Sequence, residues 1–259
     1  MAELEFAGDI ALIQEAISET PAFVAQREAT LATLSPSSGN RILDVGCGTG
    51  HMLLELARAV GPTGRVTGLD ANEDMLNLAR RRCRDVAEID FRTGDLYELP
   101  FSDGSFDEAI SVQVFEYLAD VPAALAEVHR ILRPGGRVLI RDADWGAQLW
   151  RCTDQARMRH IMEVWDRHLA DPHLPQTLAP RLSGAGFAIE VVHAITTVET
   201  ECSEKSMNHH LMKFIIPFVI SEGVSAEEAE AWHADLLEHH DDGDYFYSFT
   251  GYAFLARRK

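Results

Sequence analysis

Three glycines alternate at positions 46, 48 and 50 in the stretch ILDVGCGTGHM, residues 42–52. Glycines at this spacing let a backbone approach a ligand closely, and such a loop at the carboxyl end of a parallel strand holds nucleotides. Charge decides which one. A triphosphate loop needs GxxxxGK followed by Ser or Thr, and no lysine is present here. A dinucleotide fingerprint needs GxGxxG, and His51 stands where its third glycine belongs. Asp44 lies just before the glycines, where a carboxylate repels a pyrophosphate and attracts an ammonium or sulfonium. The plain structural alternative is a turn that only lets strand and helix pack closely.

Two further carboxylates extend the pattern. Asp70 ends the next β-type run, about twenty residues past the loop, where an acid accepts the hydroxyls of a ribose. Asp95, in Thr93-Gly94-Asp95-Leu96, ends the third run and can accept from an adenine amino group. Adenosine joined to a cationic amino acid, without phosphate, describes S-adenosylmethionine, whose demethylated product is S-adenosylhomocysteine.

The elements that must position these residues follow from periodicity. PAFVAQREATLATL (21–34) reads as a helix with Pro21 in its first turn. RILDVG is a buried strand and HMLLELARAV a helix. RVTGLD is the second strand, and NEDMLNLARRRC a helix with Asn72 as N-cap. EIDFRTGD and FDEAISVQ are strands three and four. VPAALAEVHRILRPGG is a helix ended by Pro134-Gly135-Gly136, and RVLIRDAD is strand five. Strand–helix alternation of this length means βαβ units and a mostly parallel sheet. Beyond it, 152–170 reads as helical, LPQTLAPRLSGAGF as a short helix and FAIEVVHAITTVET as a strand. Residues 203–240 read as two helices broken around Ser221–Val224, and DYFYSFTGYAFLARR as a final aromatic strand. With no repeat and no linker, the expectation is one domain over 1–259: N-terminal helices at 1–35, a ligand-binding core at 36–145 and a helical insertion at 203–240.

ILDVGCGTG (42–50), VTGLDANEDML (66–76), TGDLYELPF (93–101), SFDEAISVQVFEYLAD (105–120) and RILRPGGRVLI (130–140) occur in an order and spacing that resemble the class I S-adenosylmethionine-dependent methyltransferases, of the small-molecule kind related to ubiquinone and menaquinone C-methyltransferases. The resemblance covers residues 40–142. It implies an α/β fold with a Rossmann-like seven-stranded sheet, order 3-2-1-4-5-7-6, strand 7 antiparallel, helices on both faces and a helical lid. It also implies residue roles. Asp44 orients the loop and the methionine end of the cofactor, and Gly46, Gly48 and Gly50, with Cys47 and Met52, line its approach. Asp70 binds the ribose, with Ala71 and Met75 beside the adenine, while Gly94, Asp95 and Leu96 read its edge. Val112 and Gln113 border the methionine moiety.

Methyl transfer is an in-line displacement in which positioning does most of the work, so no catalytic motif is obligatory. Quinone-type relatives often carry a histidine soon after strand four, where this chain has Glu116. Glu116 is either an acid/base or cation contact near the methyl, or a helix-start carboxylate favoured by the dipole. Asp144 and Trp145 follow strand five and can receive a cationic or aromatic acceptor, or be a strand-end acid beside a core tryptophan. Arg141 can pair nearby acids. His209, His210 or His173 can serve as general base, and the catalytic candidates are Glu116, Asp144 and His209. The pairs His209-His210 and His239-His240 lack i,i+4 spacing, so no metal is expected. Met207, Leu211, Phe214, Ile215 and Phe218 form an apolar helix face, read both as ordinary packing and as an acceptor lid, with Phe6, Phe23 and Arg27 as further wall candidates.

Forty-one acidic against 23 basic side chains give a net charge of −18, which disfavours nucleic acid and anionic membrane as partners. The four cysteines show no CxxC spacing and fit reduced thiols in a cytosol. No signal-peptide core and no run long enough to span a membrane is seen. The expectation is a cytoplasmic methyltransferase, monomer or homodimer, with a small-molecule acceptor. Rivals are a non-methylating enzyme on the same fold, such as a cyclase or pericyclase, and a non-catalytic binding module. A nicotinamide oxidoreductase is disfavoured by His51 and Asp95.

Overall fold

Ile42, Leu43 and Val45 are all within 1% of complete burial, so both faces of this strand are covered, as in parallel sheets flanked by helices. The computed structural model describes the backbone from Asp9 to Lys259 and the side chains from Leu12 onward; Phe6 lies outside the described residues. In chain order the elements are α1 (Asp9–Ser18), α2 (Pro21–Leu34), β1 (Arg41–Val45), α3 (His51–Val60), β2 (Arg65–Asp70), α4 (Glu73–Arg82), β3 (Ile89–Thr93), β4 (Phe106–Val112), α5 (Val121–Ile131), β5 (Leu132–Ala143), β6 (Leu149–Trp150), α6 (Gln155–Trp165), α7 (Pro175–Gly184), β7 (Phe187–Glu199), α8 (Met207–Ser221), α9 (Ala226–Asp241) and β8 (Tyr247–Arg258).

The chain resolves into two units. The larger holds Arg27–Asp144, His173–Ile195 and Gly251–Lys259. Its strands run β3-β2-β1-β4-β5-β8, with β7 also on β8. The first five are parallel, and β8 is antiparallel to β5. This is the expected Rossmann-like order with a reversed last strand. The expected strands six and seven are β7 and β8, because the two-residue β6 intervenes; a strand so short leaves no hydrophobic period to read. Leu43 and Val45 join one apolar cluster with Leu125 of α5 and Leu178 of α7. Ile42 joins another with Leu34, Leu53 and Leu76. Alternate strand residues point to opposite faces, so α5 and α7 cover one side and α2, α3 and α4 the other.

One element boundary needs correction. Pro134-Gly135-Gly136 does not end a helix. α5 stops at Ile131, Leu132 is already extended at φ −76° and ψ 141°, and Leu132 pairs with Phe106. The next ladder pair is Glu108 with Arg137, so the Pro-Gly-Gly segment bulges out of β5, where proline's missing N–H costs no ladder bond.

The smaller unit gathers the chain up to Gln26, Trp145–Pro172 and Thr196–Thr250. In it β6 pairs with the start of β8, Leu149 with Ser248 and Trp150 with Tyr247. Trp150 packs on Tyr247 and edge-on to Trp232, with centroids 4.6 and 5.4 Å away. A polar seam threads this core: Trp150 Nε1 donates to Tyr245 Oη (2.7 Å), Tyr245 donates to Asn208 Oδ1 (2.8 Å), and Asn208 Nδ2 donates to Glu199 Oε2 (2.6 Å). The apolar face foreseen on 203–240 is packed inside: Met207, Leu211, Phe214, Ile215 and Phe218 are all buried. No helix among the described residues is long and apolar enough to cross a membrane.

Gly251 of β8 is where the sheet admits no side chain. A Cβ there would lie 2.6 Å from Arg141 Nε, because the buried guanidinium of β5 occupies that space. Gly251→Ala is therefore expected to destabilise the fold by about 1–3 kcal/mol through overpacking. Gly184→Ala, at a helical position with nothing within 4 Å of the added carbon, should be neutral or stabilising. Thermal unfolding of the two variants checks the contrast.

Candidate functional site

β1 and β2 are in register, with Asp44 beside Gly68, so their carboxyl ends open on one sheet edge. There the chain folds over: Gly46 N–H and Cys47 N–H both donate to Leu69 O, at 2.7 and 3.0 Å. Gly46 sits at φ +70°, and a Cβ on it would lie 2.4 Å from Val114 Cγ2. Gly48, at φ +52°, has nothing within 4 Å of that position, so the middle of the loop is an open cradle. Gly50 begins α3. Arg82 of α4 reaches back to donate to Thr49 O, a tie the sequence did not advertise.

Asp70 holds this cradle. Its Oδ2 accepts from Gly48 N–H at 2.8 Å and its Oδ1 from Asn72 N–H at 2.9 Å. Asn72 in turn caps α4 through Asp74 N and Met75 N, as its sequence position implied. Burial raises the Asp70 pKa, while the backbone donors at Asn72, Gly48 and Ala71 pull it down. A carboxylate has about four acceptor positions, so Asp70 keeps acceptor capacity beyond its backbone donors.

Asp44 is the charged centre of the site. It is 2% exposed, and its Oδ2 has no hydrogen-bond partner. Burial, and then the charge of Asp70, push its pKa up to about 7. A buried carboxylate in this state is poised for a cation. With the open cradle and the Asp70 carboxylate beside it, the residues fit an adenosyl ligand that carries positive charge.

The flanking positions divide by what they present. Cys47 and Met52 turn their side chains into the cluster with Leu53, leaving backbone to line the site. Burial and the charge of Asp44 keep the Cys47 thiol protonated. Met75 and Leu96 are buried, whereas Ala71 and Asp95 are exposed. Asp95 Oδ1 accepts from Tyr97 N–H at 2.8 Å, which shapes the turn after Gly94. That loop is fastened from α5: Arg130 donates to Phe101 O and Leu99 O, at 2.7 and 3.0 Å.

After Val112 the backbone of Gln113 enters the left-handed region at φ +54°, and its N–H donates to Arg141 O at 2.8 Å. This kink brings Glu116 under the end of β5. Glu116 N–H donates to Asp142 Oδ1 (3.2 Å), and Ala143 N–H donates to Glu116 Oε2 (3.1 Å). Arg141, also buried, feels the charge of both acids. Burial lowers its pKa to about 10, and Glu116 and Asp142 oppose that shift. Burial raises Asp142 against the backbone donor at Glu116 and the charge of Arg141. Glu116 has 0% exposure. Its bonds latch the ends of β4 and β5 together. Gly68 and Gly251 are not singled out by the sequence pattern, although a glycine inside a strand marks a close approach.

Asp144 lies just past β5, buried at 8%, bound to His173 Nδ1 and Gln176 Nε2. His209 stands on α8 in the smaller unit, edge-on to His210 with centroids 5.3 Å apart. Burial and then Lys213 lower its pKa. His239 is engaged by Asp244 and Thr153.

The pattern of a family described as a methyltransferase domain matches residues 43–140. An uncharacterized 37.1 kDa protein in transposon TN4556 of Streptomyces fradiae is 31% identical over 242 residues, 93% of this chain and 69% of that protein. The demethylmenaquinone methyltransferase of Staphylococcus aureus is 38% identical over 113 residues, 44% of this chain, and the match spans about half of its length, 47%. Among solved structures, phosphoethanolamine N-methyltransferase 2 of Haemonchus contortus, in complex with S-adenosylmethionine, shares the fold. Its TM-score is 0.63 at 20% identity, over 98% of this chain and 57% of that one.

Asp44→Asn isolates the buried charge. The folded pKa is raised from 3.8 to about 7, so ionising Asp44 inside the fold costs stability progressively as pH rises from about 4 through 7. The ligand-free variant should melt above the wild type at pH 8, with the gap closing towards pH 4. Calorimetric melting against pH reads this directly; a gap that does not depend on pH would remove the buried-charge account.

Proposed function

We propose that this chain, which belongs to the class I S-adenosylmethionine-dependent methyltransferases, moves a methyl group to oxygen, nitrogen or carbon of a small organic acceptor. The observation that carries the reading is the buried, unpartnered oxygen of Asp44 beside a cradle that Asp70 holds open at Gly48. S-adenosylmethionine is the family's cofactor and supplies, when bound, an electrophilic methyl carbon on a cationic sulfur.

The chain's own residues then divide the work. Asp44 offers the negative charge that a sulfonium or ammonium balances, and does so in a dry setting where the attraction is strong. Gly46, Gly48 and Gly50 let the backbone close on the ligand. Asp70 accepts the ribose hydroxyls with its remaining lone pairs, and Met75, Asp95 and Leu96 receive the adenine. Val112 and the kink at Gln113 border the amino-acid end. The Glu116–Arg141–Asp142 latch holds that border against β5, so the acceptor meets a fixed donor. Such positioning supplies most of the acceleration for a displacement of this kind. We further place the protein in the cytoplasm, as a monomer or homodimer. All four cysteines are free and buried, and a net charge of −18 argues against a nucleic-acid partner.

Titration calorimetry with S-adenosylmethionine, S-adenosylhomocysteine and NAD tests the reading. Both adenosyl ligands should bind and NAD should not; tight NAD binding alone would sink it. Asp70→Ala should weaken S-adenosylmethionine by about 1–3 kcal/mol through lost charge-assisted hydrogen bonds. Affinity should also fall as pH drops below about 7, because Asp44 takes up a proton there and the cation then displaces it. Methyl-labelled cofactor offered with phenols, amines and quinols separates transfer from the second reading, a non-methylating reaction on the same fold.

A further inference from the structure

Asp144 leaves the carboxyl end of β5, which is parallel and in register with β4 and, through it, with β1. It therefore stands on the sheet edge from which the glycine loop and Gln113 also leave. Both its oxygens are engaged: Oδ1 meets His173 Nδ1 at 2.9 Å and Oδ2 accepts from Gln176 Nε2 at 2.9 Å. One residue further along each segment, Trp145 N–H donates to Pro172 O at 3.0 Å. A backbone bond and a side-chain bond thus fix His173 to the end of β5. The ring itself is 48% exposed.

The other bonded histidines are placed differently. His168 is buried, holds Trp165 O and stacks on that ring, and burial lowers its pKa to about 4. His51, next to the glycines, is lowered to about 4 by burial and by Arg27. His210 is bonded to Glu204 O, and His239 to Asp244, both in the smaller unit.

A carboxylate against Nδ1 keeps the proton on that nitrogen and makes Nε2 the basic one. It also stabilises the imidazolium once Nε2 is protonated, which is the arrangement of an oriented general base. Resting on the methyl-transfer reading, we propose that His173 is the base that deprotonates the acceptor, with Asp144 as its positioning residue. The acceptor class is accordingly a molecule that attacks through a hydroxyl or an ammonium nitrogen. A hydroxyl is mostly protonated at neutral pH and an ammonium has no lone pair, so each needs a base. In the step, the acceptor heteroatom's electron pair forms the bond to the methyl carbon. The carbon–sulfur bond breaks with its pair going to sulfur, and the heteroatom's proton passes to Nε2 of His173. The imidazolium later releases it to water.

The test compares wild type, His173→Gln and Asp144→Asn with methyl-labelled S-adenosylmethionine and three probes: catechol, phenethylamine and 1,4-naphthoquinol. Label is expected on oxygen or nitrogen. In His173→Gln, kcat should fall by about 10²–10⁴-fold, and the rising imidazole limb of the pH–rate profile should vanish. Cofactor affinity by calorimetry should stay within about twofold of wild type, since uniform binding is untouched. Asp144→Asn should lower kcat while the KM for the cofactor stays unchanged, because the ring loses the carboxylate that orients it. A His173→Gln variant with unchanged kcat and limb overturns the proposal. So does label found only on naphthoquinol carbon, or on none of the probes while the cofactor still binds. Absence of cofactor binding in the wild type overturns the methyl-transfer reading beneath it instead.

Discussion

Two carboxylates share one corner of this sheet. Asp44 and Asp70 end neighbouring parallel strands, and the charge of Asp70 adds to the burial that makes Asp44 costly to ionise. Asp70 relieves its share through backbone N–H groups of the loop and of the next helix, and by doing so fixes where both begin. Asp44 is held 2% exposed and keeps an oxygen uncommitted. Burial and that charge also keep the thiol of Cys47 neutral.

The glycine loop and its two acids were legible in the sequence because they are local. Asp44, Asp70 and the glycines each lie at a strand end, and strand ends are marked by period and by turn residues. Asn72 as a cap and the split between α8 and α9 were readable for the same reason. The latch was not. Glu116, Arg141 and Asp142 looked like separate strand-end charges, and only three-dimensional pairing shows that two backbone N–H groups and a glycine on β8 join them. The Asp144–His173 pair, 29 residues apart, was hidden likewise, although each residue had been singled out alone. The misplaced helix end at Pro134-Gly135-Gly136 has a different cause. Proline and glycine mark a break, but they do not say whether it falls between elements or inside a strand as a bulge.

The smaller unit shows a limit of pattern reading of another kind. Its helices carry many apolar residues and little amphipathic contrast. Their order comes from aromatic edges around Trp145 and Trp150 and from the Trp150–Tyr245–Asn208–Glu199 seam. A seam of hydrogen bonds in a low-dielectric core specifies one arrangement more sharply than apolar contacts alone. No spacing rule in the sequence announces it.

The slot at Gly251 bears on how the protein comes to be made. Arg141 emerges from the ribosome about a hundred residues before the glycine that covers it. Until β8 arrives, the guanidinium and the two acids beside it stay hydrated, and β5 is an open edge. The last strand therefore dries a charge cluster as well as closing a sheet. Its register is set by the one position without a side chain, since a slip of a single residue would drive Thr250 or Tyr252 into the guanidinium. The border beside Gln113 is thus completed by a strand more than a hundred residues farther along the chain.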